Sequence, residues 1–165
     1  MTSDAVIARN HYLAGRLREV LLDGRWIANT NFRDQIENLD WRVAIETIGS
    51  HNSIASLTFH INYYLAGLLS AFSTGQLDIR DAYSFDLPPI TKEAEWNAVV
   101  STFIDNAQRF ADAVEKMPDS IFDQPFIDPR YGTYLRNIEG VIEHSYYHLG
   151  QVALLRKLIA ERAAQ

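Results

Sequence analysis

The chain has 165 residues and no cysteine, so disulfide bridges, thiolate metal sites and cysteine nucleophiles are excluded. Its 15 Lys and Arg residues against 21 Asp and Glu residues give a formal net charge of -6 without any basic stripe, which argues against binding to nucleic acid. The N-terminal residues lack a signal-peptide pattern, and no stretch approaches the roughly 18 apolar residues of a membrane span. We therefore expect a cytoplasmic protein without a membrane partner.

Four segments carry apolar residues at helical spacing, and stretches rich in Gly, Pro, Asn and Asp separate them. This pattern predicts an all-α protein, a four-helix bundle with long aromatic-containing connectors, in a single domain that spans residues 1–165. The first predicted helix runs from about Asp4 to Asp23 and stops at Gly24. Its apolar side consists of Val6, Leu13, Leu17, Val20 and Leu21.

The second predicted helix begins near Asn52 or Ser53, either of which could cap the first turn, and ends at Gly75. A long connector, residues 25–51, separates it from the first helix. Large apolar side chains in a connector predict that it packs over the bundle. In this connector they are Trp26, Phe32, Leu39 and Trp41.

The third predicted helix starts after Thr91, its expected cap, and is closed by Pro118. The fourth runs from about Tyr134 to Ala160 and has the most regular apolar seam in the chain. Connectors rich in Asp, Pro and aromatic residues precede these two helices. They span residues 76–90 and 119–133.

Two histidines four residues apart, His144 and His148, lie beside the apolar seam of the fourth helix. On a helix both imidazoles leave the same face about one turn apart and could bind one metal ion. His60 flanks the apolar stripe of the second helix, so an antiparallel bundle would bring all three rings together. The alternatives are a chance pair on the fourth helix and a hydrogen-bonded core histidine on the second. His11 and His51 have no partner at ligand spacing and are expected to be ordinary surface or cap-region residues.

Two related metal motifs are excluded by the residues between the histidines. The metalloprotease pattern needs a Glu directly after the first His, and that position is Ser145. Carboxylate-bridged di-iron bundles need Glu-x-x-His repeats, which the sequence lacks. A mononuclear, histidine-rich site of the zinc or nickel type remains, with a position open to water or substrate.

The sequences of residues 53–61 and 143–151 resemble those of the DinB superfamily of metal-binding four-helix bundles. The order of elements, the helix that contains Trp96 and the loop before the fourth helix resemble it as well, so the likeness covers most of the chain. The resemblance implies one divalent metal ion, with zinc or nickel favoured and iron or manganese left open. It also implies a homodimer. The metal ligands that it implies are His60, His144 and His148.

The resemblance also implies a range of functions, since some DinB-like proteins are transferases or isomerases that use bacillithiol, mycothiol or glutathione. The expected function is that of a metal-dependent enzyme, a thiol-dependent transferase or a hydrolase, whose partner is a small-molecule substrate or a low-molecular-weight thiol. One alternative is a non-catalytic, metal- or ligand-binding stress-response bundle. Another is a metal-free bundle that acts by dimerisation. The family name refers to induction by DNA damage and not to DNA binding. The acidic charge of this chain agrees with that distinction.

Six polar residues are expected near the site, although no catalytic role is assigned to any of them: Asn62, Tyr63, Tyr64, Glu143, Tyr147 and Gln151. The phenol of Tyr64 or Tyr147 could point toward a metal-bound ligand, or each ring could be part of the bundle seam. Gln151 could orient an imidazole or bridge two helices. Glu143 is expected to be a solvated surface carboxylate.

Overall fold

A computed structural model describes residues 8–165, which form six α-helices, three one-turn 3-10 helices and no β-strand. The α-helices are α1 (Arg9–Leu21), α2 (Phe32–Ile36), α3 (Trp41–Ile45), α4 (Ile54–Thr74), α5 (Glu93–Glu115) and α6 (Tyr134–Ala163). The all-α prediction is confirmed. Asp4 and Val6, where the first helix was predicted to begin, lie outside the described residues.

The four long helices pack against one another through their apolar faces. Helix α1 contacts α5 and α6, and α4 also contacts α5 and α6. Burying a side chain such as Phe103 or Phe110, both fully enclosed, stabilises the folded chain by roughly 1.5–3 kcal/mol. Among the described residues, no helix is both long enough and apolar enough to cross a membrane.

The ends of α4 and the start of α6 follow from their capping residues. The Ser53 hydroxyl accepts a hydrogen bond from the Ser56 amide at 3.1 Å, and Gly75 ends α4 with a φ of +70°. At α6, the Thr133 hydroxyl accepts from the Arg136 amide at 3.2 Å. Both predicted boundaries of α4 are confirmed, because each residue satisfies backbone groups that the helix leaves unpaired.

The predicted cap of α5 is wrong. The N-cap is Lys92, which makes no side-chain capping bond. The Thr91 amide and hydroxyl instead donate to the Glu95 carboxylate, at 2.7 and 3.1 Å. Thr91 lies one residue too early for its hydroxyl to reach an amide of the first turn, so a carboxylate inside the helix bonds back to it.

The connector between α1 and α4 contains the two short helices α2 and α3, which contact the long helices. Phe32 of α2 is fully buried, with its ring centroid 5.2 Å from that of Phe103. The Trp96 indole N–H of α5 donates to the Leu39 carbonyl at 3.0 Å. The prediction that this connector packs over the bundle is wrong for Trp26, which is 87% exposed because it lies in the turn before α2.

The connector between α4 and α5 lies close against α4. A Cβ atom at Gly67 would lie 2.6 Å from Ile79 Cγ1, so this approach requires glycine or a shift of the connector. The Tyr63 hydroxyl donates to the Arg80 carbonyl at 2.9 Å and accepts from the Arg80 amide at 3.0 Å. These contacts place residues 81–85 next to the middle of α4, where His60 lies.

Candidate metal centre

Three histidines from two helices converge on one point. His144 Nε2 lies 3.2 Å from His60 Nε2 and 2.9 Å from His148 Nε2. The three candidate ligand atoms all lie within 4.8 Å of one another. His60 is 6% exposed and His148 is 7% exposed, while His144 is partly exposed. The three residues predicted from the sequence are therefore brought together, and they could hold a metal ion.

A neutral imidazole has one protonated nitrogen and one nitrogen with a lone pair. The hydrogen bonds of the Nδ1 atoms, which face away from the centre of the cluster, show which nitrogen is protonated in His60 and His148. His60 Nδ1 lies 3.3 Å from the Ser84 carbonyl oxygen, and a carbonyl only accepts, so this nitrogen carries the proton. His148 Nδ1 lies 2.7 Å from Gln151 Oε1 and is likewise the donor. In a neutral imidazole the other nitrogen then carries no proton and has a free lone pair. The Nε2 atoms of both residues therefore point lone pairs at His144.

This arrangement suits a cation better than hydrogen bonds among the rings. Neutral His144 has one N–H, so its Nε2 can donate to at most one of the two lone pairs that face it. A cation at the centre would satisfy all three nitrogens at once. Metal-binding histidines usually donate their other ring N–H to a carbonyl or carboxylate, as His60 does to Ser84.

All three imidazoles are held in the neutral form that binds metal. Burial, followed by the neighbouring His148 and His60 rings, lowers the pKa of His144 to about 4. Burial is also the largest cause of the lowered pKa values of His60 and His148. At neutral pH no proton has to leave a ring nitrogen before a metal ion binds.

Aromatic rings enclose the histidines. Phe85 stacks on His60 with ring centroids 4.0 Å apart and an interplanar angle of 12°, while Tyr64 meets His60 and His144 edge to face. The Tyr64 hydroxyl donates to Asp81 Oδ1 at 2.9 Å, and burial together with this bond raises the pKa of the phenol. Tyr64 is therefore a protonated donor at neutral pH.

The remaining sequence predictions near the site have mixed outcomes. Gln151 contacts an imidazole, which is one of its two expected roles. Tyr147 packs its ring 4.9 Å from the His148 ring but is 65% exposed, so it is not a seam residue. Glu143 is at the surface, as predicted, and pairs with Arg136 at 2.9 Å.

The two histidines outside the cluster are both exposed, as predicted. His11 lies on α1, and its Nδ1 is 3.0 Å from the Glu115 carboxylate. His51 precedes α4 and borders a surface groove. Neither residue belongs to the group of converging histidines, so both serve as controls for experiments on the cluster.

Three residues of the connector before α5 belong to the site but were not predicted from the sequence. Ser84 provides the carbonyl for His60, Phe85 covers the same ring, and Asp81 accepts from Tyr64. They lie in and directly after a one-turn 3-10 helix, Asp81–Tyr83. Their contact with α4 depends on the fold of the connector, which leaves no regular spacing in the sequence.

A cavity of about 370 Å³ reaches the metal centre at His144. It lies between α4, the start of α6 and the two connectors that precede α5 and α6. Its polar lining groups come from Tyr64, Asp81, Tyr131, Arg136, Asn137 and His144. A cavity of this size next to one of the three imidazoles provides room for a small molecule to approach a bound metal ion.

Comparison with protein-family models, curated proteins and solved structures finds no match to this chain. Its function is therefore inferred from the residues of the site. Three neutral imidazoles, two of them fixed through their outer nitrogens, form a donor set that zinc, nickel or iron accepts. A fourth position would stay open to water or to a molecule in the cavity.

Proposed function

We propose that this protein is a four-helix bundle of the DinB type that binds one divalent metal ion through His60, His144 and His148 and acts on a small molecule. The observation that carries the proposal is the pair of Nε2 lone pairs, from His60 and His148, that both face His144 Nε2. Imidazole ligands suit several divalent ions, and zinc and nickel are the two that we propose, with iron and manganese as alternatives.

The proposed activity is a thiol-dependent transfer or a hydrolysis. A divalent ion with three neutral ligands keeps its full charge, so when bound it lowers the pKa of a coordinated water or thiol. The chain has no cysteine, so a thiol would have to come from outside. Tyr64 lies against the His144 ring and lines the cavity, where its hydroxyl is held by Asp81. We assign it the role of positioning the molecule that occupies the fourth metal position.

Metal content tests the first half of the proposal. Protein incubated with zinc or nickel and then dialysed should retain about one ion per chain by elemental analysis, whereas His144→Ala should retain none. His51→Ala is the matched control, since His51 is exposed and outside the cluster. Equal metal content in wild type and His144→Ala would refute the proposed centre.

Catalysis is tested separately, with glutathione, bacillithiol or mycothiol plus an electrophile, and with small esters. Turnover that disappears in His144→Ala and persists in His51→Ala supports the enzyme. The alternative is a metal-binding bundle without turnover, which the deep burial of His60 and His148 favours. In that case removal of the metal lowers the melting temperature but changes no reaction rate. The homodimer expected from the resemblance stays a prediction that light scattering would test.

A further inference from the structure

One face of α6 runs from the metal centre to the positively charged side chain of Arg136. Arg136, Gly140 and His144 follow one another at four-residue intervals and all line the same cavity. With a rise of 1.5 Å per residue, the first and last of these Cα atoms are about 12 Å apart. Gly140 lies between them, and a Cβ atom built on it would meet no atom within 4 Å. The floor of the cavity is therefore open from the arginine to the histidine.

Most of the wall between the two ends is apolar. Residues from α4, from both connectors and from α6 contribute aliphatic and aromatic carbon atoms. They are Leu68, Leu77, Ile79, Phe126 and Val141. Such side chains remove the body of an apolar molecule from water, while Tyr64, Asp81 and Tyr131 add polar groups to the same cavity.

The end away from the metal carries groups fixed by local bonds. The Asn137 amide donates to the Tyr131 and Thr133 carbonyls at 2.9 and 2.8 Å, which ties the start of α6 to the preceding loop. Among residues 8–165, Arg136 forms its salt bridge with Glu143, at 2.9 Å, and both side chains are 61% exposed. An ion pair this exposed contributes little to stability, so an anion in the cavity could replace Glu143 at small cost.

We infer that the molecule bound in this cavity is an elongated carboxylic acid with an apolar body, a metal-binding group at the His144 end and its carboxylate at Arg136. This inference rests on the proposed metal site. A planar guanidinium that binds a carboxylate through two parallel hydrogen bonds accounts for an arginine at the end of a cavity whose walls are mostly apolar. Glu143 then competes with the ligand for the same cation.

The test uses a probe with both end groups. The monohydroxamate of hexanedioic acid carries a metal-chelating group and a carboxylate joined by a short aliphatic chain, and its methyl ester lacks only the charge. Calorimetric titration of the zinc-loaded protein should give about tenfold tighter binding of the acid than of the ester, the size of one charge-assisted interaction. Arg136→Gln should remove this preference, and Glu143→Gln should increase it.

Two glycines of α6 provide a matched pair for the cavity itself. Gly140→Leu should weaken the binding of both probes by at least about tenfold. The leucine side chain fills the cavity, so the methylene groups of the probe can no longer be buried there. Gly150→Leu places the same side chain on an exposed part of the same helix and should change neither affinity. Circular dichroism confirms that both variants fold.

Zinc content, measured for every variant, separates the two possible failures. If the wild type binds neither zinc nor nickel, the proposed function fails. If zinc binds but the acid and the ester bind equally, or if Gly140→Leu binds both probes as the wild type does, the metal site stands and the inferred ligand class is wrong.

Discussion

His148 Nδ1 lies 2.7 Å from Gln151 Oε1, one turn further along α6. The bond fixes the proton of His148 on Nδ1 and leaves Nε2 as a lone pair aimed at the centre of the cluster. It also stops the ring from rotating about its bond to Cβ. Gln151 therefore acts on any bound metal through the orientation and basicity of His148 rather than by contact with the ion.

Removing this acceptor should weaken metal binding. We expect Gln151→Leu to lower zinc affinity by about 10-fold to 100-fold, the usual effect of losing a partner that orients a metal ligand. Gln151→Glu keeps the acceptor and adds a negative charge, so it should bind zinc at least as tightly as wild type. Competition with a chromophoric chelator measures both. Unchanged affinity in Gln151→Leu would mean that His148 does not depend on this bond.

The histidine cluster should make the metal-free protein sensitive to mild acid. His144 has a folded pKa of about 4 against an ordinary value of 6.5, so the unfolded chain binds more protons between these values. The free energy of unfolding should therefore fall as the pH drops from about 6.5 toward 4. Urea unfolding of metal-free protein at several pH values measures this slope.

A matched pair of variants assigns this slope to the cluster. His144→Gln removes one of the depressed pKa values and should flatten the dependence, whereas His51→Gln should leave it unchanged. A slope that is the same in all three proteins would show that the cluster does not titrate in this range.

The long helices and the three histidines were predictable from local patterns, but the surroundings of the histidines were not. Ser53 and Gly75 bound α4 through bonds within a few residues, and the spacing of His144 and His148 is a property of one helix. The bond from His60 to the Ser84 carbonyl spans 24 residues. It exists only because the connector folds back along α4, and nothing local in the sequence specifies that path.

Gly67 is expected to control the position of that connector. Replacing glycine with alanine inside an exposed helix normally stabilises it by about 0.5–1 kcal/mol, and Gly15→Ala, where a Cβ would meet nothing within 4 Å, should show this gain. Gly67→Ala should not, because its Cβ would lie 2.6 Å from Ile79 Cγ1 and must displace it. Urea unfolding of the two variants gives the comparison.

The Gly67→Ala substitution should also affect the metal site. Displacement of Ile79 moves the connector that carries Ser84 and Phe85, which hold and cover His60. We expect Gly67→Ala to weaken zinc binding by several-fold, while Gly15→Ala leaves it unchanged. A Gly67→Ala variant that gains stability like Gly15→Ala and binds zinc normally would show that the connector adapts without moving the site.

Arg18 should set the stability of the protein in strong acid. Its guanidinium binds Asp112 at 2.7 Å and Glu115 at 2.6 Å, which joins α1 to α5. Through these bonds Arg18 lowers the pKa of Asp112 and, followed by the bond from His11, lowers that of Glu115 to about 2. The folded carboxylates release protons more readily than the unfolded ones, so the stabilisation is present above about pH 4.5 and is lost as the pH falls toward 2.

Arg18→Gln should therefore unfold at a higher pH than the wild type when the acid transition is followed by circular dichroism. The control is Arg42→Gln, because Arg42 pairs with Asp40 at 3.5 Å while 71% exposed, an arrangement that contributes little. Its acid transition should coincide with that of the wild type. If Arg18→Gln also coincides with the wild type, the ion pairs of Arg18 with Asp112 and Glu115 add no stability in acid.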